Sequence, residues 1–333
     1  MNERESALFL YEEAMVYTHA AALRVAAELR LADAMADTAR PPAELAEVVG
    51  ADPVRLRRVL RLLATRGIVV EDDCGRFTLT DRGAALRSDA EVPARPGVLM
   101  FTDTMFWTMA HRAAQAVADP APSFDQVFGR SLGDYFDADP QVEALYYEGM
   151  ATVSDVELPL LVAAYDFPDE GVVADIGGGR GTFLREVLLA RPRLRGILLD
   201  QPHMVKEHRL DVLGTAGRAE VLAGDFLAGV PVADIYLLKR ILHNWDDRRS
   251  VQILRNCRRS MRPEGRVLVI DAVVPNGAAP HQSRQMDFMM LAALTGQERS
   301  AAELRPLLDA AGLRMTRVIP TSAPVTIVEA RGA

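Results

Sequence analysis

The chain has 333 residues, which at roughly 100–200 residues per domain predicts two or three domains and excludes a peptide hormone or a disulfide-stapled mini-protein. Hydrophobic residues make up 49% and charged residues 25%, the balance of a folded globular protein rather than of a disordered or collagen-like one. The net charge of −8 repels phosphate backbones, so nucleic acid is not an expected partner. Cys74 and Cys257 are the two cysteines, too few for a disulfide framework or a cysteine zinc site. No apolar run reaches the ~18 residues of a membrane-spanning helix. The start, MNERESALFLYEEAM, carries acids where a secretory signal has basic residues. A cytoplasmic protein without a membrane partner is expected.

Residues 1–90 read as short helices followed by a hairpin. Asp52 is an N-cap residue and Pro53 suits the first helical position. Apolar residues then recur at helical spacing as far as Leu63, with the helix closing near Gly67. Two β-prone runs, 68–71 and 76–79, flank the turn-forming Asp72-Asp73-Cys74-Gly75. Helices followed by a hairpin form the winged-helix pattern. A DNA-binding use would make Arg55, Arg57, Arg58, Arg61 and Arg66 a recognition helix. They alternate with apolar positions as any solvated face does, and only Lys206 and Lys239 among the 38 basic residues are lysine. Dimerisation is the preferred use. The arginine and alanine bias reads as GC-rich coding.

Residues 91–168 read as mainly helical, cut into pieces by prolines such as Pro140 and Pro159. Their aromatic and methionine content suits a wall for a flat apolar ligand, with Phe101, Met105 and Trp107 as candidates.

From residue 169 to 333 strands alternate with helices, which predicts a parallel sheet covered on both faces. Strands are expected at 172–176, 195–199, 219–222, 233–239 and 266–272. Two more, at 314–319 and 324–330, are joined too tightly for a parallel crossover and should form an antiparallel hairpin at the sheet's end. Before them, Ser300 and Glu303 form a capping box that opens a helix closed by Gly312.

The strand Val172–Ile176 runs into Gly177-Gly178-Gly179-Arg180-Gly181 and then a helix, a turn that lets backbone approach a nucleotide. Thr182 stands where a dinucleotide fingerprint needs its third glycine, and no Gly-Lys-Ser/Thr follows for a Walker loop. Asp175, at the strand's end, suits a cationic ligand better than a pyrophosphate, and S-adenosylmethionine carries an ammonium and a sulfonium. Asp200 ends the next strand, where a carboxylate accepts from ribose hydroxyls. Gly224, Asp225 and Phe226 follow the third strand, with Asp225 and Phe226 placed for an adenine edge and face. Three acids at three successive strand ends argue against three isolated helix caps.

The series ADIGGGRGTFL, LLDQP, AGDF, LLKRILHNWDD and MDFMMLAALTGQER resembles the S-adenosylmethionine-dependent small-molecule O-methyltransferases of the plant-caffeate and bacterial-antibiotic type. The resemblance covers nearly the whole chain. It implies an α/β fold: a Rossmann-like class I methyltransferase sheet with a C-terminal antiparallel hairpin, preceded by a mainly helical winged-helix dimerisation domain. The implied domains are a dimerisation domain over 1–90, a helical linker and substrate-pocket region over 91–168, and a catalytic domain over 169–333. It places the general base at His243 and its orienting acids at Asp271 and Glu298. The cofactor residues become Asp175, Gly177, Gly179, Asp200, Gly224, Asp225, Phe226 and Lys239. Met286 and Met290 join the substrate wall. No residue cluster has metal-ligand spacing, so metal-independent chemistry is expected.

A phenol has a pKa near 10 and an imidazole near 6.5, so a neutral histidine can take the proton as a methyl group is transferred. Two positions depart from the family pattern: Asp271 replaces the plant enzymes' Glu, one methylene shorter, and Asn244 stands where an Asp is common. Relatives lacking the histidine methylate by alignment alone, which is physically reasonable. The expected function is methyl transfer to a hydroxyl of an aromatic bacterial metabolite by a homodimer. Transfer to nitrogen or carbon, non-methylating chemistry on the same cofactor, and a DNA-binding regulator sensing that cofactor are the alternatives.

Overall fold

The computed structural model describes every residue except 1, 37, 120–122, 212–216 and 294–295. Leu294 and Thr295 of the quoted MDFMMLAALTGQER run therefore lie outside the described residues. The chain divides into two compact units, one of residues 1–107 and 133–154 and one of 108–132 and 155–333.

The first unit is mostly helical. Asp52 caps helix Pro53–Ala64 by accepting from the Arg55 N–H at 2.8 Å. Leu56, Leu60 and Leu63 form the buried stripe of this helix. They pack in a core with Leu31, Met35, Leu45 and Phe77. Strands β1 (Val69–Glu71) and β2 (Phe77–Leu79) pair antiparallel across the Asp72 turn. Arg55, Arg57, Arg58, Arg61 and Arg66 are all exposed. Arg57 and Arg61 both clasp Glu71, at 3.1 and 3.0 Å, so two of the five are committed within the fold.

The stretch 91–168 is helical as expected, but Pro159 does not break it. Helix Pro140–Ala164 runs through that proline for 25 residues. Proline removes the N–H that would bond the carbonyl of Asp155, and the boundary between the two units falls in that same turn, between Ser154 and Asp155. Beyond it, Leu158 and Leu161 are buried in the second unit's core, and this packing offsets the lost hydrogen bond.

The second unit holds a seven-stranded sheet: β3 (Glu170–Ile176), β4 (Arg193–Asp200), β5 (Ala219–Ala223), β6 (Ala233–Lys239), β7 (Met261–Asp271), β8 (Leu313–Ile319) and β9 (Thr326–Gly332). Their spatial order is β5-β4-β3-β6-β7-β9-β8. The first five are mutually parallel, and β9 runs antiparallel to both β7 and β8. Strand β7 begins five residues ahead of its expected start at 266, in the unpromising stretch containing Pro263 and Gly265. Both faces are covered by buried apolar residues, which explains why these strands read as near-continuous hydrophobic runs. Ser300 and Glu303 form the expected capping box on helix Ala301–Ala310, and Gly312 follows it at φ +74°. No helix among the described residues is long and apolar enough to cross a membrane.

The terminal hairpin is tied by a buried acid. Glu329 accepts from Tyr165 Oη at 2.6 Å, Thr316 Oγ1 at 2.7 Å and Arg317 Nη2 at 2.5 Å. These partners hold its carboxyl down at about 2, against a burial that pushes it upward most strongly. A carboxylate depressed on folding stabilises the fold above its unfolded pKa, here 4.5, and that stabilisation is lost as pH falls towards 2. Glu329→Gln is expected to lower stability at pH 7 by ~3 kcal/mol, the low end for a broken buried pair because its arginine partners can rehydrate. Denaturant melts should also show a smaller loss between pH 4.5 and 2 than in the wild type; equal pH dependence would refute the assignment.

Candidate active site

Candidate residues gather at the carboxyl ends of β3, β4, β6 and β7. Gly177, Gly179 and Gly181 follow β3 with φ of +68°, +59° and +74°, the left-handed region that side chains avoid. At Gly177 a Cβ would also lie 2.5 Å from Ile241 Cδ1. Gly178, which spacing did not single out, is required for another reason. A Cβ there would stand 2.4 Å from the Asp175 carboxylate, so the acid folds directly beneath the turn.

Asp175 is buried, accepts from the Leu184 N–H at the start of helix Thr182–Ala190, and leaves Oδ2 without a partner. Burial first, and the neighbouring Asp200 second, push its carboxyl up to about 7. A desolvated acid with one unsatisfied oxygen is the natural receptor for a cation. Asp200 accepts from Gly179 N–H and Gln201 N–H, both at 2.7 Å. Gly224 donates its N–H to the Asp200 carbonyl at 2.9 Å. Asp225 is exposed and accepts from Leu227 N–H. Half-buried Phe226 meets Trp245 edge to face at 6.1 Å.

After β6, the turn Leu242–Asn244 buries His243. Its Nδ1 lies 2.7 Å from Glu298 Oε1. The carboxylate fixes the hydrogen on Nδ1 and leaves Nε2 with the lone pair. Glu298 is itself held in place: its N–H donates to Asp287 Oδ1 at 2.9 Å. Next to it, the Arg299 guanidinium bonds the carbonyls of Leu242 and Trp245 and the Asp247 carboxylate. At Gly296 a Cβ would stand 1.8 Å from the His243 carbonyl oxygen, so only glycine lets this loop lie against the histidine turn.

Asp271 is within electrostatic reach of His243, and its Oδ1 has no partner. Burial pushes its carboxyl up to about 6, while His243 pulls it down. Glu298 rather than Asp271 makes the direct hydrogen bond, in keeping with the shorter side chain at 271. Asn244 uses a donor that an aspartate lacks: its Nδ2 bonds the Arg240 carbonyl at 3.1 Å. That carbonyl belongs to a residue at φ +55°, so the amide braces a strained turn.

Lys239 ends β6 with its ammonium 2.9 Å from Glu157 Oε2, and Arg240 pairs with the same carboxylate. Sequence reasoning missed Glu157. The only signal was an acid on the apolar stripe of Leu158 and Leu161. Of the proposed substrate wall, Phe101, Met105 and Trp107 belong to the first unit and Met286 and Met290 to the second. Met105 is buried, whereas Phe101 and Trp107 are exposed. Phe101 joins a ring cluster through Phe106, 6.0 Å away, which stacks on Tyr146. Met286 and Met290 are half-buried on helix Gln282–Ala293.

A parallel sheet with an antiparallel terminal hairpin, an orphaned acid beneath a glycine turn and a buried histidine–carboxylate pair together define a class I methyltransferase. Comparison with known proteins agrees. Residues 110–314 match the O-methyltransferase domain and residues 12–89 the O-methyltransferase dimerisation domain. The chain belongs to this O-methyltransferase family, and its cofactor is S-adenosylmethionine. It is 38% identical to a phenazine O-methyltransferase of Lysobacter antibioticus, over 93% of this chain and 91% of that one. A methyltransferase of calicheamicin biosynthesis, solved with bound S-adenosylhomocysteine, is 61% identical with a TM-score of 0.96 over 100% of both chains. An O-methyltransferase of neocarzinostatin biosynthesis, solved with S-adenosylmethionine and 2-hydroxy-5-methyl naphthoic acid, is 34% identical with a TM-score of 0.76. That match covers 94% of this chain and 96% of the other.

Proposed function

We propose that this chain, as a homodimer, methylates a hydroxyl oxygen of an aromatic small molecule of bacterial specialised metabolism, with His243 as general base. The observation that carries this reading is the 2.7 Å contact between His243 Nδ1 and Glu298 Oε1. It presents Nε2 as an acceptor for a hydroxyl proton, and Glu298 stabilises the imidazolium that results. Asp271 adds negative potential beside the ring. When bound, S-adenosylmethionine supplies an electrophilic methyl group on a positively charged sulfur. Asp175 receives positive charge, Asp200 accepts from ribose hydroxyls, Gly177, Gly179 and Gly224 admit the ligand close to the backbone, and Asp225 and Phe226 meet the adenine. Met286 and Met290 supply an apolar wall within the second unit.

Methyl-labelled cofactor incubated with phenazine, naphthoate and anthraquinone acceptors tests the reading. Label on an acceptor oxygen supports it, and label on nitrogen or carbon, or unconsumed cofactor across the panel, overturns it.

The state of Asp175 gives a pH dependence. Its folded pKa of about 7 leaves it mostly neutral at pH 6 and ionised at pH 8. A bound cation favours the ionised form, so affinity rises with pH. Calorimetry with S-adenosylmethionine should give binding ~10-fold weaker at pH 6 than at pH 8, the ratio expected for one site titrating near 7. Affinity unchanged across that interval would remove Asp175 from the cation's site.

A further inference from the structure

Glu157 has no part in the transfer described above, yet it is buried and holds two cations, Lys239 at 2.9 Å and Arg240. A buried carboxylate needs a partner, but one partner would suffice. The strand register suggests what the second pairing accomplishes. Asp175 of β3 pairs with Leu237 of β6. Side chains alternate along a strand, so Lys239 falls on the same face as Leu237 and Asp175. That is the face on which Leu158 and Leu161 pack with Leu237. Lys239 is within electrostatic reach of Asp175, whose Oδ2 nonetheless has no hydrogen-bond partner.

We propose that Glu157 is a positioning residue: by holding the Lys239 ammonium, it keeps Lys239 from closing an ion pair with Asp175 and leaves that carboxylate open to the cofactor's positive charge. The inference rests on the reading of Asp175 as the cofactor's acid. With the charge of Glu157 removed, Asp175 is a carboxylate still within electrostatic reach of the ammonium. The resulting internal pair must then be broken before a cationic ligand binds. Arg240 keeps its main-chain anchors, its N–H to the Ile270 carbonyl and its carbonyl to Asn244, so the turn leading to His243 stays braced.

Calorimetry with S-adenosylmethionine alone, on variants whose folding is verified by circular dichroism, provides the test. Glu157→Gln should bind at least ~10-fold more weakly than wild type, a shift equivalent to one unit of pKa in the competing pair. Adding Lys239→Met should return affinity to within ~3-fold of that of Lys239→Met alone, because the competing cation is gone. A role limited to helix packing predicts no such recovery. Native affinity in Glu157→Gln, or no recovery in the double variant, overturns the proposal. If Glu157→Gln does not fold, the double variant is compared with Lys239→Met alone. Equal binding supports the proposal, and a ~10-fold deficit in the double variant refutes it. Absence of binding by the wild-type protein would instead refute the cofactor reading of Asp175.

Discussion

His243→Ala is expected to lower turnover by ~100-fold or more while leaving cofactor affinity within ~3-fold of wild type, since general base catalysis contributes factors of this size. The asymmetry follows from where the histidine stands. Its ring is fixed through Nδ1 by Glu298 in the turn after β6, while the orphaned acid Asp175 stands at the end of β3. Deleting the imidazole also strands Glu298, whose Oε2 already lacks a partner. Some loss of thermal stability should therefore accompany the loss of rate. Single-turnover kinetics paired with calorimetry separate the two effects. Turnover near the wild-type value would show that alignment of the reactants dominates and that proton removal is left to solvent.

Gly296→Ala is expected to be nearly as damaging although it adds one methyl group and removes no functional group. The added carbon would fall 1.8 Å from the His243 carbonyl oxygen and 2.6 Å from the Asn244 carbonyl carbon. Both are backbone atoms, which no rotamer change can move aside. Either the loop bearing Glu298 or the histidine turn must shift. The Arg299 bonds to Leu242 and Trp245 tie these two segments together, so displacement of one strains the other. A stability loss of ~2–3 kcal/mol, typical of overpacking, is expected. A turnover loss of ~100-fold should accompany it, as for other misplaced catalytic groups. Wild-type activity in this variant would mean that the Glu298 contact is dispensable.

Legibility in the sequence followed the range of the interactions. The glycine turn, the Ser300 cap and the alternation of strands with helices rest on neighbours a few residues apart, and their chemistry reads directly from residue order. The antiparallel hairpin could be inferred because a short connector forbids a crossover. What could not be read was pairing across long separations. Asp271 and Glu298 are both expected to orient His243, with Asp271 marked as one methylene short, and tertiary packing through Asp287 and Arg299 holds Glu298 at the direct contact. Glu157 lies over 80 residues from the cations it holds, and no local pattern announces such a contact. Pro159 misled for a related reason: its cost is local, but the burial of Leu158 and Leu161 that offsets it is not.

Strand order also has a consequence for the route by which the site is assembled. Asp271 ends β7, and β7 is covered on its outer side by β9, with Asp271 opposite Thr326. Since β9 lies between β7 and β8, β8 cannot dock before the strand that follows it has been made. During synthesis, therefore, β7 presents an open hydrogen-bonding edge while all four parallel strands before it are already available. Such an edge is a template for mispairing with other chains. Ribosome-bound intermediates halted before residue 326 should accordingly need chaperone shielding that the finished protein does not.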